Sequence, residues 1–162
     1  MLAVSNTSPL SNLASIDRLD LLKSQFSEVR IPSAVADELA AHPNPTALAL
    51  LHSALGNWIQ IVKPQDTPLY RMLRRQVDPG EAEAIALAVD LNADIVIIDE
   101  QEGRALARQV NLSVTGTLGI LLRAKRSGLI QLIKPEINAL RNRTRFFLSA
   151  ALEADVLAAA GE

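Results

Sequence analysis

The chain of 162 residues contains no cysteine. That absence excludes thiol catalysis, cysteine-ligated zinc and iron–sulfur clusters, and it fits a reducing cytosol. Histidine is scarce too: His42 and His52 are the only two, too few for a histidine-rich metal site. No apolar run approaches the ~18 residues of a membrane-spanning helix, and no basic stretch followed by a long apolar one opens the chain. A soluble cytoplasmic protein with no membrane contact is the expectation. No Gly-x-Ser-x-Gly elbow and no P-loop pattern occurs. The one glycine cluster at a strand–helix junction, Gly116-Thr117-Leu118-Gly119, lacks GxGxxG spacing, which counts against a Rossmann-like nucleotide-binding protein.

What is present is a large apolar fraction, 49% of residues, enough for a core without disulfides. A chain of this length fits one domain, residues 1–162, that buries roughly 70% of its unfolded surface. The net charge of −2 is not that of a general nucleic-acid binder, but its distribution is uneven. Arg123, Lys125, Arg126, Lys134, Arg141, Arg143 and Arg145 face a single acid, Glu136, within residues 123–145. Arg71, Arg74 and Arg75 form a second cluster. Such patches hold phosphates even on a mildly acidic protein, and solvated helix faces would give the same pattern.

Short apolar runs alternate with helical patterns, which predicts a parallel sheet covered by helices on both faces. Strands are expected at Leu2–Ser5, Glu28–Ile31, Trp58–Val62, Ile95–Ile98 and near Val114. Ile95–Ile98 reads as a central strand, apolar on both faces. Ser8 with Pro9 reads as the cap and first residue of a helix, and Asp78 with Pro79 reads the same way. The tail beyond Pro135 reads as helical, ending in an alanine-rich amphipathic segment.

Four oxygen-bearing side chains fall where such a fold would gather them. Asn6 ends the first strand, Glu38 lies on the helix after Ile31-Pro32, Glu81 opens a helix, and Asp99 ends Ile95–Ile98. Ligands of open α/β sheets bind beyond the carboxyl ends of strands. Three carboxylates ~6 Å apart repel by roughly 3 kcal/mol per pair at an effective dielectric near 20, about 8 kcal/mol in all. A domain with ~5–15 kcal/mol of stability must offset that with protons or a cation. Hard oxygen ligands select Mg²⁺ or Mn²⁺, the ions suited to phosphodiester hydrolysis. Plainer readings stand beside this one: Asp99 in Asp99-Glu100-Gln101-Glu102 matches a capping box, as does Asp78 with Glu81, and Asn6 fits a turn.

Five segments carry a resemblance. They are Val4-Ser5-Asn6-Thr7-Ser8-Pro9-Leu10, Ile31-Pro32-Ser33-Ala34-Val35-Ala36-Asp37-Glu38-Leu39, Gly80 to Ala88, Ile97 to Arg104, and Gly116 to Leu121 with Ala124-Lys125 and Gly128. In this order they resemble the PIN domain family, in particular small prokaryotic proteins related to VapC-type toxin ribonucleases. The resemblance implies a three-layer α/β/α sandwich with a central parallel sheet, and Mg²⁺- or Mn²⁺-dependent RNA cleavage. It also implies a homodimer neutralised by an antitoxin partner. Glu38, Glu81 and Asp99 would be the catalytic acids and metal ligands, joined by Asn6 and Glu100. Ser8 would support the first motif, and Arg123, Lys125, Arg126, Arg141, Arg143 and Arg145 would contact RNA. Where the family carries aspartate after the first strand, this chain has Asn6. The amide keeps a ligand oxygen and loses a charge, which leaves a non-catalytic RNA- or protein-binding module as the second reading.

Overall fold

A computed structural model describes residues 1–162. Strands β1 (Leu2–Ser5), β2 (Glu28–Pro32), β3 (Ile59–Val62), β4 (Ile95–Ile97) and β5 (Val114–Thr115) form one sheet in the order β3-β2-β1-β4-β5. Every pairing is parallel. The helices are α1 (Thr7–Ser15), α2 (Asp20–Gln25), α3 (Ser33–Ala40), α4 (Pro45–Ala54), α5 (Pro68–Leu73), α6 (Pro79–Asp90), α7 (Gln101–Gln109), α8 (Thr117–Arg126), α9 (Lys134–Arg143) and α10 (Ala150–Ala160). The architecture is a three-layer α/β/α sandwich around a central parallel sheet.

The layers follow from period-two alternation along buried strands. Ala3, Val29, Ile31 and Ile97 point into a core shared with Leu10 and Leu13 of α1, Leu51 of α4, Ile120 of α8 and Ile137 of α9. Val4, Val96 and Ile98 point the other way, onto Ile85 and Leu87 of α6, Leu73 of α5 and Ala107 of α7. Helix α6 lies against the centre of the sheet and contacts β1, β2, β4 and α3. Ala82, Ala84, Ala86 and Ala88, all buried, let its backbone come close. Its start is fixed by Asp78, whose Oδ1 accepts the Glu81 N–H at 2.8 Å, with Pro79 in the first turn. Burying the alanine face of α6 carries Glu81 into the interior with it.

The chain runs from β1 outward through β2 to β3, then returns to the other side of β1 for β4 and β5. The order therefore reverses between β1 and β4, and a crevice opens where their following loops part. Asn6 leaves β1 and Asp99-Glu100 leaves β4 at that crevice.

Three local expectations are corrected. Ser8 is not a helix cap: α1 begins at Thr7, Asn6 holds the cap position without a capping side-chain bond, and the Ser8 hydroxyl donates to Glu100 instead. Asp99 does not cap α7, because Glu100 holds that position and the Asp99 carboxylate reaches across to α8. The tail is not one helical run, since residues 144–149 are irregular between α9 and α10. Helix α10 lays one half-buried face, with Val156, Leu157 and Ala160, against the core beside α8. No helix is long and apolar enough to cross a membrane.

Candidate functional site

The site is assembled from the loop after β4, which carries Asp99 and Glu100, from α3, which carries Glu38, and from the first turn of α6, which carries Glu81. Asp99, Glu100 and Glu38 are each held by a donor from another element. Asp99 is the most firmly held. Its Oδ1 accepts the Thr117 N–H at 2.6 Å, and its Oδ2 accepts the Thr117 hydroxyl at 2.6 Å and the Asn12 amide at 3.0 Å. One carboxylate thus ties the end of β4 to the start of α8 and to α1. Burial pushes the Asp99 carboxyl up, the Thr117 and Asn12 hydrogen bonds pull it down, and the Glu100 charge pushes it up again.

Glu100 turns towards α1. Its Oε2 accepts the Asn6 amide N–H at 3.1 Å, and its Oε1 accepts the Ser8 hydroxyl. Asn6 is buried and its backbone N–H continues the sheet ladder onto the Ile97 carbonyl at 3.0 Å. With its Nδ2 given to Glu100, the Asn6 Oδ1 has no hydrogen-bond partner.

Glu81 is buried, 5% exposed, and its Oε1 likewise lacks a partner. Its carboxyl is pushed up to about 8, first by burial, then by the Asp78 carboxylate, then by the Glu100 charge. Glu38 is exposed on α3 and accepts the Thr7 hydroxyl. Glu83, two residues beyond Glu81, accepts the Ala34 N–H at 3.1 Å and so pins the start of α3 to α6.

Glycines close the packing around three of these acids. A β-carbon at position 80 would stand 2.7 Å from Glu38 Oε1, and one at 116 would stand 2.7 Å from Asp99 Oδ1. A β-carbon at 103 would overlap Glu81 Oε1. Each acid therefore rests on bare backbone of the next helix start.

Asn6, Ser8, Asp99, Glu100, Glu81 and Glu38 all lie at the carboxyl rim, linked by direct contacts or through an adjacent residue. No three acidic side chains converge on one point at cation-holding distance; Glu38, Asp99 and Glu100 are drawn to hydroxyl and amide donors. The chemistry of the donor set nonetheless fits a hard divalent cation. All its atoms are oxygens, and two of them, Asn6 Oδ1 and Glu81 Oε1, are buried acceptors without a donor.

The basic residues divide. Arg143 and Arg145 line a cavity that also reaches Asp99 and Glu100. Arg141 pairs with Glu153. Arg123, Lys125 and Arg126 occupy the last turn of α8, roughly 9–14 Å along the helix from Thr117. Arg123 lies 3.6 Å from the Met1 sulfur, which precedes β1 and marks the opposite rim. Thr7, Asn12 and Thr117 hold the acids and were not singled out from sequence. Their donor chemistry is common to every turn, and only the fold aims it. Arg104, which donates to the Ile98 carbonyl at 3.0 Å and is attracted by Asp99, was overlooked for the same reason.

A family model described as a PIN domain (DUF3368) matches residues 2–162. No curated protein matches the chain.

Proposed function

The chain belongs to the PIN domain family, and from that membership and the acidic rim we propose that it is a metal-dependent ribonuclease hydrolysing RNA phosphodiester bonds. The observation that carries this reading is the pair of buried oxygens without donors, Asn6 Oδ1 and Glu81 Oε1, beside the Asp99–Glu100 pair. Buried acceptors left unpaired are destabilising by roughly 1–3 kcal/mol each, and they persist where a ligand supplies what the protein does not.

Glu81 and Asp99, with Glu38, Glu100 and the Asn6 amide oxygen, would hold Mg²⁺ or Mn²⁺. Such an ion supplies polarisation of the phosphoryl oxygen and activation of water. The chain's own residues orient these ligands: Thr117 and Asn12 fix Asp99, Ser8 fixes Glu100, and Thr7 fixes Glu38. Arg143 and Arg145 supply positive charge for the RNA backbone. The finer form of the reading is a cytoplasmic, homodimeric toxin held by an antitoxin, supported by the likeness to VapC-type proteins.

A second reading, an RNA- or protein-binding module without catalysis, is favoured by Asn6, where an amide replaces a charge. One comparison separates the two. Unstructured RNA is incubated with Mg²⁺ or Mn²⁺ and the wild type, Glu81→Ala or Asp99→Ala. Cleavage that disappears in both variants supports the nuclease. Cleavage that survives either change, or an inert wild type, removes it.

A further inference from the structure

A cavity of about 990 Å³ opens beside Asp99 and Glu100. One side is a polar stripe of α1, where Ser8, Asn12 and Ser15 recur at helical spacing on one face. Further lining comes from the end of α9, with Arg143, and from the irregular segment after it, with Arg145 and Phe147. Its size is at the upper end of small-ligand sites, and its lining is hydroxyl, amide, imidazole and charge apart from Pro43 and the two phenylalanines.

Phe147 is out of place in such a wall. It is 87% exposed, whereas Phe26 is 5% exposed and Phe146 packs against the core. The chain around it is fixed on both sides. The Thr144 hydroxyl donates to the Leu140 carbonyl at 2.7 Å and accepts the Phe146 N–H at 3.0 Å, and Leu148 is buried one residue later. Phe147 is therefore a ring presented outward from an anchored segment. Arg143 and Arg145 differ from their neighbours as well. They take part in no ion pair, while Arg141 is paired with Glu153, Lys125 with Glu162, and Arg123 stacks on Phe26.

We infer that residues 143–147 form a stacking platform for single-stranded RNA, with an unpaired base on Phe147 and flanking phosphates on Arg143 and Arg145. A free aromatic face on the same cavity wall as two uncommitted guanidinium groups matches a polyanion whose bases are exposed. Base stacking on aromatic side chains tolerates any sequence, and the phosphate contacts supply salt-dependent affinity. Duplex RNA offers the phosphates but keeps its bases stacked inside, so the ring selects the single strand. The inference rests on the nuclease reading for its substrate and deepens it by naming what grips the strand.

The test is equilibrium binding to the full chain in EDTA, where no cleavage intervenes. The probe is a short unstructured RNA carrying 2-aminopurine, compared with its duplex. Phe147→Ala is expected to weaken single-strand binding about 5- to 100-fold, to relieve the 2-aminopurine quench, and to leave the salt slope unchanged. Phe147→Trp is expected to retain affinity. Arg143→Ala and Arg145→Ala are each expected to reduce the salt slope by about 0.7. The variants keep the fold, because the ring buries almost nothing. Single-strand affinity indifferent to Phe147→Ala, or duplex bound as tightly as single strand, overturns the platform. So does a change in sedimentation on Phe147→Ala with RNA affinity unaltered, which would make the ring a contact to a second copy. Cleavage that persists while binding ignores Phe147 sinks only this inference. Phe147-dependent binding without Mg²⁺- or Mn²⁺-dependent cleavage sinks only the nuclease reading.

Discussion

The α-carbon of Gly103 lies directly against the carboxylate of Glu81, so that a β-carbon at 103 would overlap Oε1 and stand 3.1 Å from Ile98 Cγ2. One obstacle is the far end of a side chain and the other belongs to Ile98, fully buried just after β4. The carboxylate is therefore what moves. Gly103→Ala is expected to destabilise the protein by about 1–3 kcal/mol through overpacking. It is also expected to lower Mn²⁺ affinity, because Glu81 leaves its position beside Glu100. Thermal unfolding and calorimetric Mn²⁺ titration check both effects. An alanine variant with unchanged stability and titration would show that the close approach has no consequence.

Asp99 serves two ends at once, and substitutions separate them. Asp99→Asn keeps one acceptor for Thr117 and removes the charge, whereas Asp99→Ala strips partners from the Thr117 N–H, the Thr117 hydroxyl and the Asn12 amide. Leaving such groups unpaired destabilises by roughly 1–3 kcal/mol. Asp99→Ala should therefore lower the unfolding midpoint more than Asp99→Asn, while both abolish metal-stimulated RNA cleavage. Equal destabilisation by the two would mean that the hydrogen bonds to α8 contribute nothing.

The strands were legible because their chemistry is local. Ile95–Ile97 is an uninterrupted apolar run bounded by turn residues, and Asp78-Pro79 announces α6. The positions of Asn6 and Asp99 followed from the rule that strand ends carry the ligands. Partners across elements were not legible. Nothing in Ser8-Pro9 distinguishes a capping serine from one whose hydroxyl reaches a residue 92 positions away. Nor does Asp99-Glu100-Gln101 tell that the aspartate serves α8 rather than α7. The break at residues 144–149 did leave a mark: Ser149 is a capping residue, accepting the Leu152 N–H at 3.2 Å, and the Thr-Arg-Phe-Phe run before it favours extended backbone. The helical reading of the tail passed over both.

Glu81 sets a pH dependence for the metal-free protein. Its folded value, about 8, lies above the ordinary 4.5, so between the two the folded state holds a proton that the unfolded state does not. Stability then falls as pH rises through that window, by up to about 1.4 kcal/mol per pH unit. Below about pH 4, under the unfolded value of 4.5, both states are protonated and the contribution is fully present. Glu81→Gln removes the titration, so in EDTA its stability should exceed the wild type's progressively from about pH 5 to pH 8. Urea unfolding at several pH values checks this, and parallel curves for the two proteins would refute it.

Asn6 meets Glu100 through its amide nitrogen at 3.1 Å, and Asn6→Asp would replace that donor with a second carboxylate. Two such charges ~4 Å apart repel by about 4 kcal/mol at an effective dielectric near 20, less once a proton is shared. The metal-free variant should therefore be less stable than the wild type at neutral pH. A cation reverses the sign, because the added charge that repels Glu100 also attracts Mn²⁺. The unfolding midpoint of Asn6→Asp should thus rise more steeply with added Mn²⁺ than that of the wild type, and Mn²⁺-dependent RNA cleavage should increase. If the variant is as stable as the wild type in EDTA and gains nothing from Mn²⁺, then Asn6 and Glu100 do not border a cation site, and the amide is simply the partner that keeps Glu100 in place.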